Sequence, residues 1–293
     1  MMKRILVPLD GSDFAEQALS PAVALAIRHR AEIHLLSVVS SAPPVPAHFA
    51  DETFLPDWVD QEETTLRGYV ERTAAKVAAR SEGLRVEAHV SEGRVGEIIR
   101  EAVEELDIDL VVLTTHGRGL FERAWLGSIA DQLVRSLERP ILLLPPTENA
   151  FEENQIRHVM VPLDGSEAAE AVLDVLPAVL PAGGGVRLTL ASVVVPTPEE
   201  RRETAEAYLA TVSRRVETEG VGLLKTRVLT GHNAAQGLLH FCKENEVDVL
   251  ALSTHGRGGI ARFLVGSVAD KLVRGTGIPV LITRRPSAPP ETA

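Results

Sequence analysis

The stretch THGRGGIARFLVGS, residues 254–267, contains a phrase that this chain uses twice. Its first five letters, THGRG, also occupy residues 115–119. In both places nine residues separate the glycine after the histidine from a Gly-Ser pair, Gly127-Ser128 in the first and Gly266-Ser267 in the second. Glycines at fixed spacing mark backbone that adopts unusual dihedral angles or lets a ligand come close. A phrase repeated with its spacing also indicates an internal duplication.

Longer stretches show that the duplication covers both halves of the chain. They are VPLDGS at 7–12 and 161–166, DLVVLTTHG at 109–117 and DVLALSTHG at 248–256, and GSIADQLVR at 127–135 and GSVADKLVR at 266–274. A proline-led apolar run follows each time, PILLL in the first half and PVLIT in the second. Order and spacing agree, so we predict two copies of one domain, at residues 1–147 and 155–285, each of ordinary domain length.

Composition and charge limit the classes of protein to consider. Hydrophobic residues make up 45% and charged residues 24% of the chain, as in soluble globular proteins. The formal net charge of -11 argues against a sequence-independent nucleic-acid binder, which needs a basic face. No apolar run approaches the ~20 residues of a membrane span, and from the strand-like start we expect no signal peptide. With a single cysteine, Cys242, we expect a cytoplasmic protein.

Apolar runs and helical patterns alternate in the same order in both copies. In the first copy RILVPLD, EIHLLSVV, LRVEAHVS, DLVVLTT and PILLLP predict five strands, with helices between them. Ser12 or Asp13 caps a first helix that runs to about Arg30, and Pro21 and Pro177 predict a kink or an early break in the first helix of each copy. The alternation predicts an α/β fold: two tandem doubly wound, Rossmann-like domains, each with a five-stranded parallel sheet flanked by helices.

The repeated motifs fall where such a sheet binds ligands. Ligands of doubly wound sheets lie outside the carboxyl ends of the strands, where the strand order reverses. VPLD and TTHG both end predicted strands, so they meet at one crevice if the first and fourth strands are neighbours. A Gly-Ser pair at a helix start adds free backbone N–H groups, a hydroxyl and the positive end of a helix dipole. This combination suits a phosphate and predicts a site for a phosphorylated small molecule in each copy.

At these residues the chain resembles the universal stress protein family, in its tandem two-domain form. The family signature is a glycine, two residues, a second glycine, nine residues, and Gly-Ser or Gly-Thr. A Pro-x-Asp that ends the first strand is a further match, at residues 8–10 and 162–164. The resemblance implies a fold of the adenine nucleotide alpha-hydrolase-like type. It also implies adenine nucleotide binding, with ATP the first candidate and magnesium arriving with the nucleotide.

The resemblance carries a set of site residues over to matching positions. Those implied to line an adenine pocket are Pro8, Asp10, Val38 and Leu113 in the first copy and Pro162, Asp164, Val193 and Leu252 in the second. Those implied to face the phosphates are Gly117, Gly127, Ser128 and Ile129, and Gly256, Gly266, Ser267 and Val268. The first signature glycine is replaced by Thr114 and by Ser253, close to the ribose, where a side chain either hydrogen-bonds a sugar hydroxyl or crowds it.

The prediction for function is a stress-response protein that binds an adenine nucleotide in one or both domains and acts as a regulatory or interaction module. The chain has no G-x-x-x-x-G-K-[ST] phosphate loop, no kinase signature and no G-x-G-x-x-G after the first strand, so we favour a binding module over an enzyme. Two alternatives stay open. One is a scaffold that binds a protein partner without nucleotide, and the other is a slow ATPase.

Four of the site residues have a purely structural interpretation as well. Asp10 and Asp164 each precede a Gly-Ser pair and could shape a turn from strand to helix. Gly127 and Gly266 could serve only to permit a tight entry into the following helix.

The histidines and arginines of the repeated phrase carry less chemistry. His116 and His255 lack a nucleophile at catalytic spacing and further ligands at metal-binding spacing, so we predict neither a catalytic nor a metal site there. Arg118 and Arg257 either clamp phosphates or are solvated. Cys242 is expected to pack in the core.

Two segments distinguish the copies from each other. Residues 40–58, proline-rich with Phe49, Phe54 and Trp58, have little counterpart in the second copy and are expected to be an extended connection: a flap over the first crevice or a surface insertion. In the nine-residue loop the second copy has Gly259 and Ala261 where the first has Leu120 and Glu122. The glycine gives the backbone more freedom to surround a phosphate, and the glutamate would repel one. Both differences predict that the second copy is the stronger phosphate site.

The final strand of each copy would be an exposed apolar edge if left alone. We therefore expect Ile141–Leu144 to pair with Val280–Thr283 in an intramolecular pseudo-dimer, as the family resemblance also suggests. The sequence leaves open whether two chains associate further into a homodimer.

Overall fold

A computed structural model describes residues 2–40, 55–115, 126–145, 156–180, 185–194, 199–216, 221–231, 233–254 and 267–284 of the chain, with side chains from residue 59 onward in the second of these ranges. The chain divides into two compact units. Unit 1 comprises Met1–Leu133 and Pro146–Phe151, and unit 2 comprises Val134–Pro145 and Glu152–Ala293.

Unit 1 is a parallel sheet with helices. Its strands are β1 (Arg4–Pro8), β2 (Glu32–Ser40), β3 (Val86–Gly93) and β4 (Leu110–Thr114), in the order β3-β2-β1-β4 with every pairing parallel. Its helices are α1 (Asp13–Glu16), α2 (Leu19–His29), α3 (Leu55–Arg80), α4 (Val95–Glu105) and α5 (Ser128–Ser136), the last three residues of α5 being grouped with unit 2.

Unit 2 repeats this arrangement and contains one additional strand. Its strands are β5 (Ile141–Leu144), β6 (His158–Pro162), β7 (Val186–Val194), β8 (Val221–Thr230), β9 (Val249–Ser253) and β10 (Val280–Thr283), in the order β5-β10-β9-β6-β7-β8. Its helices are α6 (Glu167–Glu170), α7 (Val172–Val179), α8 (Glu199–Arg215), α9 (Ala234–Glu244) and α10 (Ser267–Gly275). From β10 to β8 all pairings are parallel, which gives the predicted five-stranded parallel sheet.

The central strands are buried because their sequences are apolar throughout. Ile5, Leu6 and Val7 of β1 have no exposed surface, and every residue of β4 is buried. Parallel strands covered by helices on both faces need such continuous apolar sequences, whereas a strand with one wet face would alternate. The predicted α/β class is confirmed in both units.

The strand β5 comes from the first sequence repeat but is grouped with unit 2, because it pairs with β10. The pairing is antiparallel, with Ile141 opposite Ile282 and Leu143 opposite Val280. All four residues of β5 are buried. This is the strand pairing that the sequence predicts for the two final strands.

The first helix of each unit is interrupted near its start. Ser12, one of the two predicted caps, is the N-cap of α1, and the chain breaks at Gln17 and Ala18 before α2 begins. Pro21 has no N–H for the carbonyl of Gln17, which favours a break here. In unit 2 the break falls at the equivalent Ala171, and α7 then continues through Pro177 to end two residues later.

One boundary differs from the sequence-based expectation. The helix α3 begins at Leu55, so the last four residues of the segment expected to be an extended connection, 55–58, are helical. The rest of that segment from residue 41 onward lies outside the described residues. Among the described helices none is both long enough and apolar enough to cross a membrane.

Candidate functional site

The candidate site of each unit lies where the strand order reverses. β1 is flanked by β2 on one side and by β4 on the other, with Pro8 opposite Leu36 and Leu6 opposite Val111. In unit 2, β6 stands between β7 and β9 in the same way. The first and fourth strands are therefore neighbours, as the sequence analysis required. Pro8 and Pro162 end their strands at this edge, level with the carboxyl ends of β4 and β9.

A tight turn follows each central strand and is built around an aspartate. Asp10 Oδ1 accepts hydrogen bonds from the backbone N–H of Ser12 at 3.0 Å and from its hydroxyl at 2.6 Å. Ser12 Oγ in turn accepts from the N–H of Ala15, which caps α1. Gly11, between them, has φ 81°, a conformation that favours glycine. The carboxylate thus fixes the turn, as the structural interpretation predicts.

Unit 2 repeats this turn atom for atom. Asp164 Oδ1 accepts from the N–H of Ser166 at 3.0 Å and from its hydroxyl at 2.6 Å, and Gly165 has φ 84°. Asp10 is half-buried and Asp164 is exposed. Both aspartates shape the turn, and contact with a ligand stays a prediction for each.

The residues expected to line an adenine pocket differ in burial. Leu113 and Leu252 are buried in β4 and β9, with exposed fractions of 6% and 2%, so they offer a ligand little surface. Val38 and Val193, in the carboxyl halves of β2 and β7, are half-buried. Among these four apolar candidates, Val38 and Val193 therefore have more accessible surface than Leu113 and Leu252.

The replacements of the first signature glycine lie at the carboxyl ends of β4 and β9. Thr114 is 8% exposed, and Ser253 is opposite Thr283 of β10. Within the described part of the chain, the buried hydroxyl Oγ of Ser253 has no hydrogen-bond partner. A buried hydroxyl without a partner costs about 1–3 kcal/mol, so this position favours a ligand that can hydrogen-bond to it.

The serine of each Gly-Ser pair begins a helix, as predicted. The N–H of Gly127 donates to the carbonyl of Thr115 at 2.7 Å, and its carbonyl accepts from Asp131 at 2.9 Å. Ser128 begins α5 and Ser267 begins α10, and both are exposed. The first N–H groups of a helix have no partner within it, so these two entrances can bind an anion.

The helix entrances also contain acidic residues. Ile129 and Val268, the next positions, are half-buried, and Asp131 and Asp270 stand in the first turns. A carboxylate there already interacts favourably with the helix dipole. The carboxylate therefore competes with a bound phosphate for the positive end of the helix dipole.

The remaining predicted residues lie outside the described ones. They include three of the glycines implied to face the phosphates, the histidines and arginines of the repeated phrase, and the loop positions that distinguish the copies. These residues are Gly117, Gly256, Gly266, His116, His255, Arg118, Arg257, Leu120, Glu122, Gly259 and Ala261, and with them Phe49 and Phe54 of the predicted flap.

The structure adds a repeated contact that the sequence analysis missed. Tyr69 of α3 donates to Glu16 of α1 at 3.0 Å, and Tyr208 of α8 donates to Glu170 of α6 at 2.9 Å. Burial, followed by the glutamate, raises the pKa of both tyrosines. The two tyrosines at matching places in the repeats were the available signal. Their hydrogen bonds connect the long helix of each unit to the short helix that follows the central strand.

Two other features of unit 2 are a buried cysteine and a cavity. Cys242 is 6% exposed, and burial raises the pKa of its thiol to about 12, so the predicted core role is confirmed. A cavity of about 910 Å³ has Glu138, Glu170, Arg215 and Arg284 among its lining residues. None of the predicted site residues lines that cavity.

Comparison with known proteins identifies the family. The fold and the repeated carboxyl-edge motifs define a tandem doubly wound α/β protein, and the model of the Universal stress protein family matches residues 1–145 and 155–284. The chain belongs to the universal stress protein family, with two such domains in tandem, and this membership supports a role in the stress response.

Individual relatives cover nearly the whole chain. A universal stress protein of Synechocystis is 26% identical in an alignment 300 positions long, which covers 97% of this chain and 100% of the relative. One from Mycolicibacterium smegmatis is 26% identical over 293 residues, 96% of each. The crystal structure of a universal stress protein from Archaeoglobus fulgidus has a TM-score of 0.72 at 17% identity, covering 96% of this chain and 98% of that one. The structural likeness supports the fold.

Proposed function

We propose that this protein binds an adenine nucleotide, ATP first, at the carboxyl edge of one or both units and acts as a regulatory or interaction module. The observation that carries the proposal is the unpartnered buried hydroxyl of Ser253 at the strand-order reversal in unit 2. This position is the one that the family resemblance sets beside the ribose. A ribose hydroxyl can both donate to and accept from Ser253 Oγ, which would remove the cost of the unpaired group.

Other features at the same edge fit the remaining parts of a nucleotide. The entrance of α10 offers backbone N–H groups and the hydroxyl of Ser267 to the phosphates. Val193 offers a half-buried apolar surface to the base. The Oδ1 atom of Asp164 already accepts two hydrogen bonds from Ser166, and we assign no protein ligand to the magnesium ion that accompanies ATP.

A comparison of two serine variants tests the role of Ser253. In Ser253→Ala the unfolding midpoint without ligand should stay equal or rise, because a buried unsatisfied hydroxyl is removed. The rise in midpoint on adding ATP should shrink, corresponding to up to about tenfold weaker binding for one lost hydrogen bond. Thermal-shift measurements with ATP, ADP, AMP and cyclic AMP measure both effects.

The matched control is Ser136→Ala. Ser136, in the last turn of α5, also has a buried hydroxyl without a partner among the described residues. It lies at the carboxyl end of α5, whereas the predicted phosphate site is at the amino end, at Ser128. Its removal should leave the nucleotide-dependent shift unchanged. If no adenine nucleotide raises the midpoint of the unmodified protein, the nucleotide proposal fails and the scaffold alternative gains. Production of ADP from bound ATP would support the slow ATPase.

A further inference from the structure

Two short motifs of the same form stand on neighbouring strands of unit 1. Glu32-Ile33-His34 lies in β2 and Glu87-Ala88-His89 lies in β3. Residues two apart on a strand point to the same face, and His34 is directly opposite Glu87 in the parallel register. The register therefore brings two imidazoles and two carboxylates together on one face of the sheet. His34 and His89 are 55 residues apart in the sequence, so no ligand spacing along the chain predicted this cluster.

Three atoms of this cluster are spaced as metal ligands are. His34 Nδ1 lies 3.0 Å from His89 Nε2 and 3.6 Å from Glu87 Oε2, and His89 Nε2 lies 3.9 Å from the same oxygen. A point in the plane of these atoms lies about 2.1 Å from each, within the range of about 2.0–2.2 Å that zinc keeps to imidazole nitrogen and carboxylate oxygen. Two nitrogen lone pairs at 3.0 Å repel, so either a ring proton or a cation must lie between them.

Neighbouring groups orient two of these ligands. Arg85 donates to Glu87 Oε1 at 2.6 Å and to Glu32 Oε1 at 2.9 Å, so Glu87 turns its other oxygen, Oε2, toward the histidines. The Nε2 atom of His34 is buried and has no hydrogen-bond partner among the described residues. The carboxylate of Glu32 is 3.8 Å from it. A histidine that binds metal through Nδ1 carries its proton on Nε2, and a nearby carboxylate is the common partner of that proton.

Burial leaves the cluster accessible from one side. The side chain of His34 is 3% exposed, whereas those of His89 and Glu87 are 28% and 35% exposed. An ion held by the three atoms would be anchored in the sheet by His34 and would keep an open coordination position toward solvent. Three protein ligands and one open position is the usual arrangement of zinc sites that exchange a ligand.

The second unit lacks these ligands at the equivalent positions. There Met160 is opposite Thr189, and Thr189 is opposite Lys225, where unit 1 has Leu6, His34 and Glu87. Two residues further along β8 is Arg227 in place of His89. The shared fold therefore does not require the cluster, which is particular to unit 1.

We propose that unit 1 binds one divalent transition-metal ion through His34 Nδ1, Glu87 Oε2 and His89 Nε2, with water in the remaining position. Two imidazoles and one carboxylate select ions of the zinc class over magnesium and calcium, which prefer oxygen ligands. The site lies two residues before the carboxyl end of β1 in register, since His34 is opposite Leu6 and the candidate nucleotide site begins at Pro8. It is therefore independent of the proposed nucleotide function.

The test is a titration of Zn²⁺ into the full-length chain, made without a polyhistidine tag and freed of metal with a chelator. Calorimetry should show one ion per chain, and Co²⁺ used as a probe should give the visible absorption of a four-coordinate site. In His89→Ala and Glu87→Gln the affinity for Zn²⁺ should fall by more than a factor of about 10–100. That factor is the usual cost of losing an outer partner, a group that hydrogen-bonds to a metal ligand without binding the metal itself. Glu32→Gln should lower the affinity within that range, because Glu32 is such a partner.

The control is His240→Ala, which removes an exposed histidine that lies 3.1 Å from Glu244 on α9. Its affinity for Zn²⁺ should equal that of the unmodified chain. Circular dichroism checks that each variant is folded, and Glu87→Gln, which keeps the side-chain size, decides the matter if His89→Ala is not. The proposal is overturned if the unmodified chain binds no ion or if the Glu87→Gln variant binds with undiminished affinity, leaving a proton-bridged histidine pair.

Discussion

His158 is a buried imidazole at the start of β6, and both of its ring nitrogens have partners. Nδ1 donates to the carbonyl of Asn245 at 2.9 Å, and Nε2 lies 2.8 Å from Thr189 Oγ1. Burial is the largest influence on this histidine and lowers its pKa, while the hydrogen bond to Asn245 opposes that shift. Among the charged groups around it, Arg187 and Lys225 lower the pKa and Asp248 raises it.

This shift predicts a loss of stability in mild acid. The pKa of His158 is lowered in the folded state, so the unfolded chain binds the proton first once the pH falls below about 6.5. The stabilisation is complete above that pH and is lost as the pH falls through the folded-state pKa. Between about pH 7.5 and about pH 5.5, the unfolding midpoint of His158→Gln should therefore fall less than that of the unmodified chain.

A second histidine variant controls for this effect. His240→Gln changes an exposed side chain of α9 and should follow the unmodified protein through the same pH range. Parallel curves for His158→Gln and the unmodified chain would show that His158 contributes nothing to the acid sensitivity.

At the scale of single residues, the sequence predicts what depends on local backbone and misses what depends on neighbours in space. Ser12 and Asp13 were predicted as alternative helix caps because a position just before a helical pattern is a local signal, and the structure selects Ser12. The unpartnered hydroxyl of Ser253 and the contact of His34 with His89 depend on which strands are adjacent and in what register. Neither can be derived from spacing along the chain.

At the scale of elements, continuous apolar runs predicted the strands well. They did so because parallel strands buried on both faces tolerate few polar residues. Boundaries were less certain: α3 begins at Leu55, within a stretch whose prolines indicated an extended connection. The break before α2 was predicted from Pro21, but unit 2 has the same break at Ala171 with no proline four residues later. A proline at this position is therefore not required for the break.

The pairing of β5 with β10 yields a prediction about isolated halves. Residues 1–147 alone would expose β5, and residues 155–285 alone would expose β10, each as an apolar strand edge. We therefore expect each half, when expressed separately, to self-associate through its final strand. Analytical ultracentrifugation over a range of concentrations measures this.

The full-length chain at the same concentrations is the control, because its two final strands are already paired with each other. Leu142 and Leu281 are opposite each other and buried, so the edge that each half exposes is strongly apolar. Clean, soluble monomers of both halves would contradict the expected role of this pairing.

At the scale of the whole molecule, duplication predicts two sites, but the repeats are not equivalent. Ser253 of unit 2 has a buried hydroxyl without a partner among the described residues, whereas Thr114 of unit 1 has an interaction partner. The sequence difference of Gly259 and Ala261 against Leu120 and Glu122 points the same way, since a carboxylate near a polyanion weakens binding. Both considerations favour the second repeat as the nucleotide site.

The most direct measurement is a calorimetric titration of ATP into the unmodified chain, Gly266→Val and Gly127→Val. Valine at either position puts a branched side chain where the phosphates are expected to approach the backbone. We predict a stoichiometry near one ATP per chain, abolished by Gly266→Val and retained in Gly127→Val. The absence of ATP binding by the unmodified chain, or binding lost in Gly127→Val and undiminished in Gly266→Val, would contradict the account.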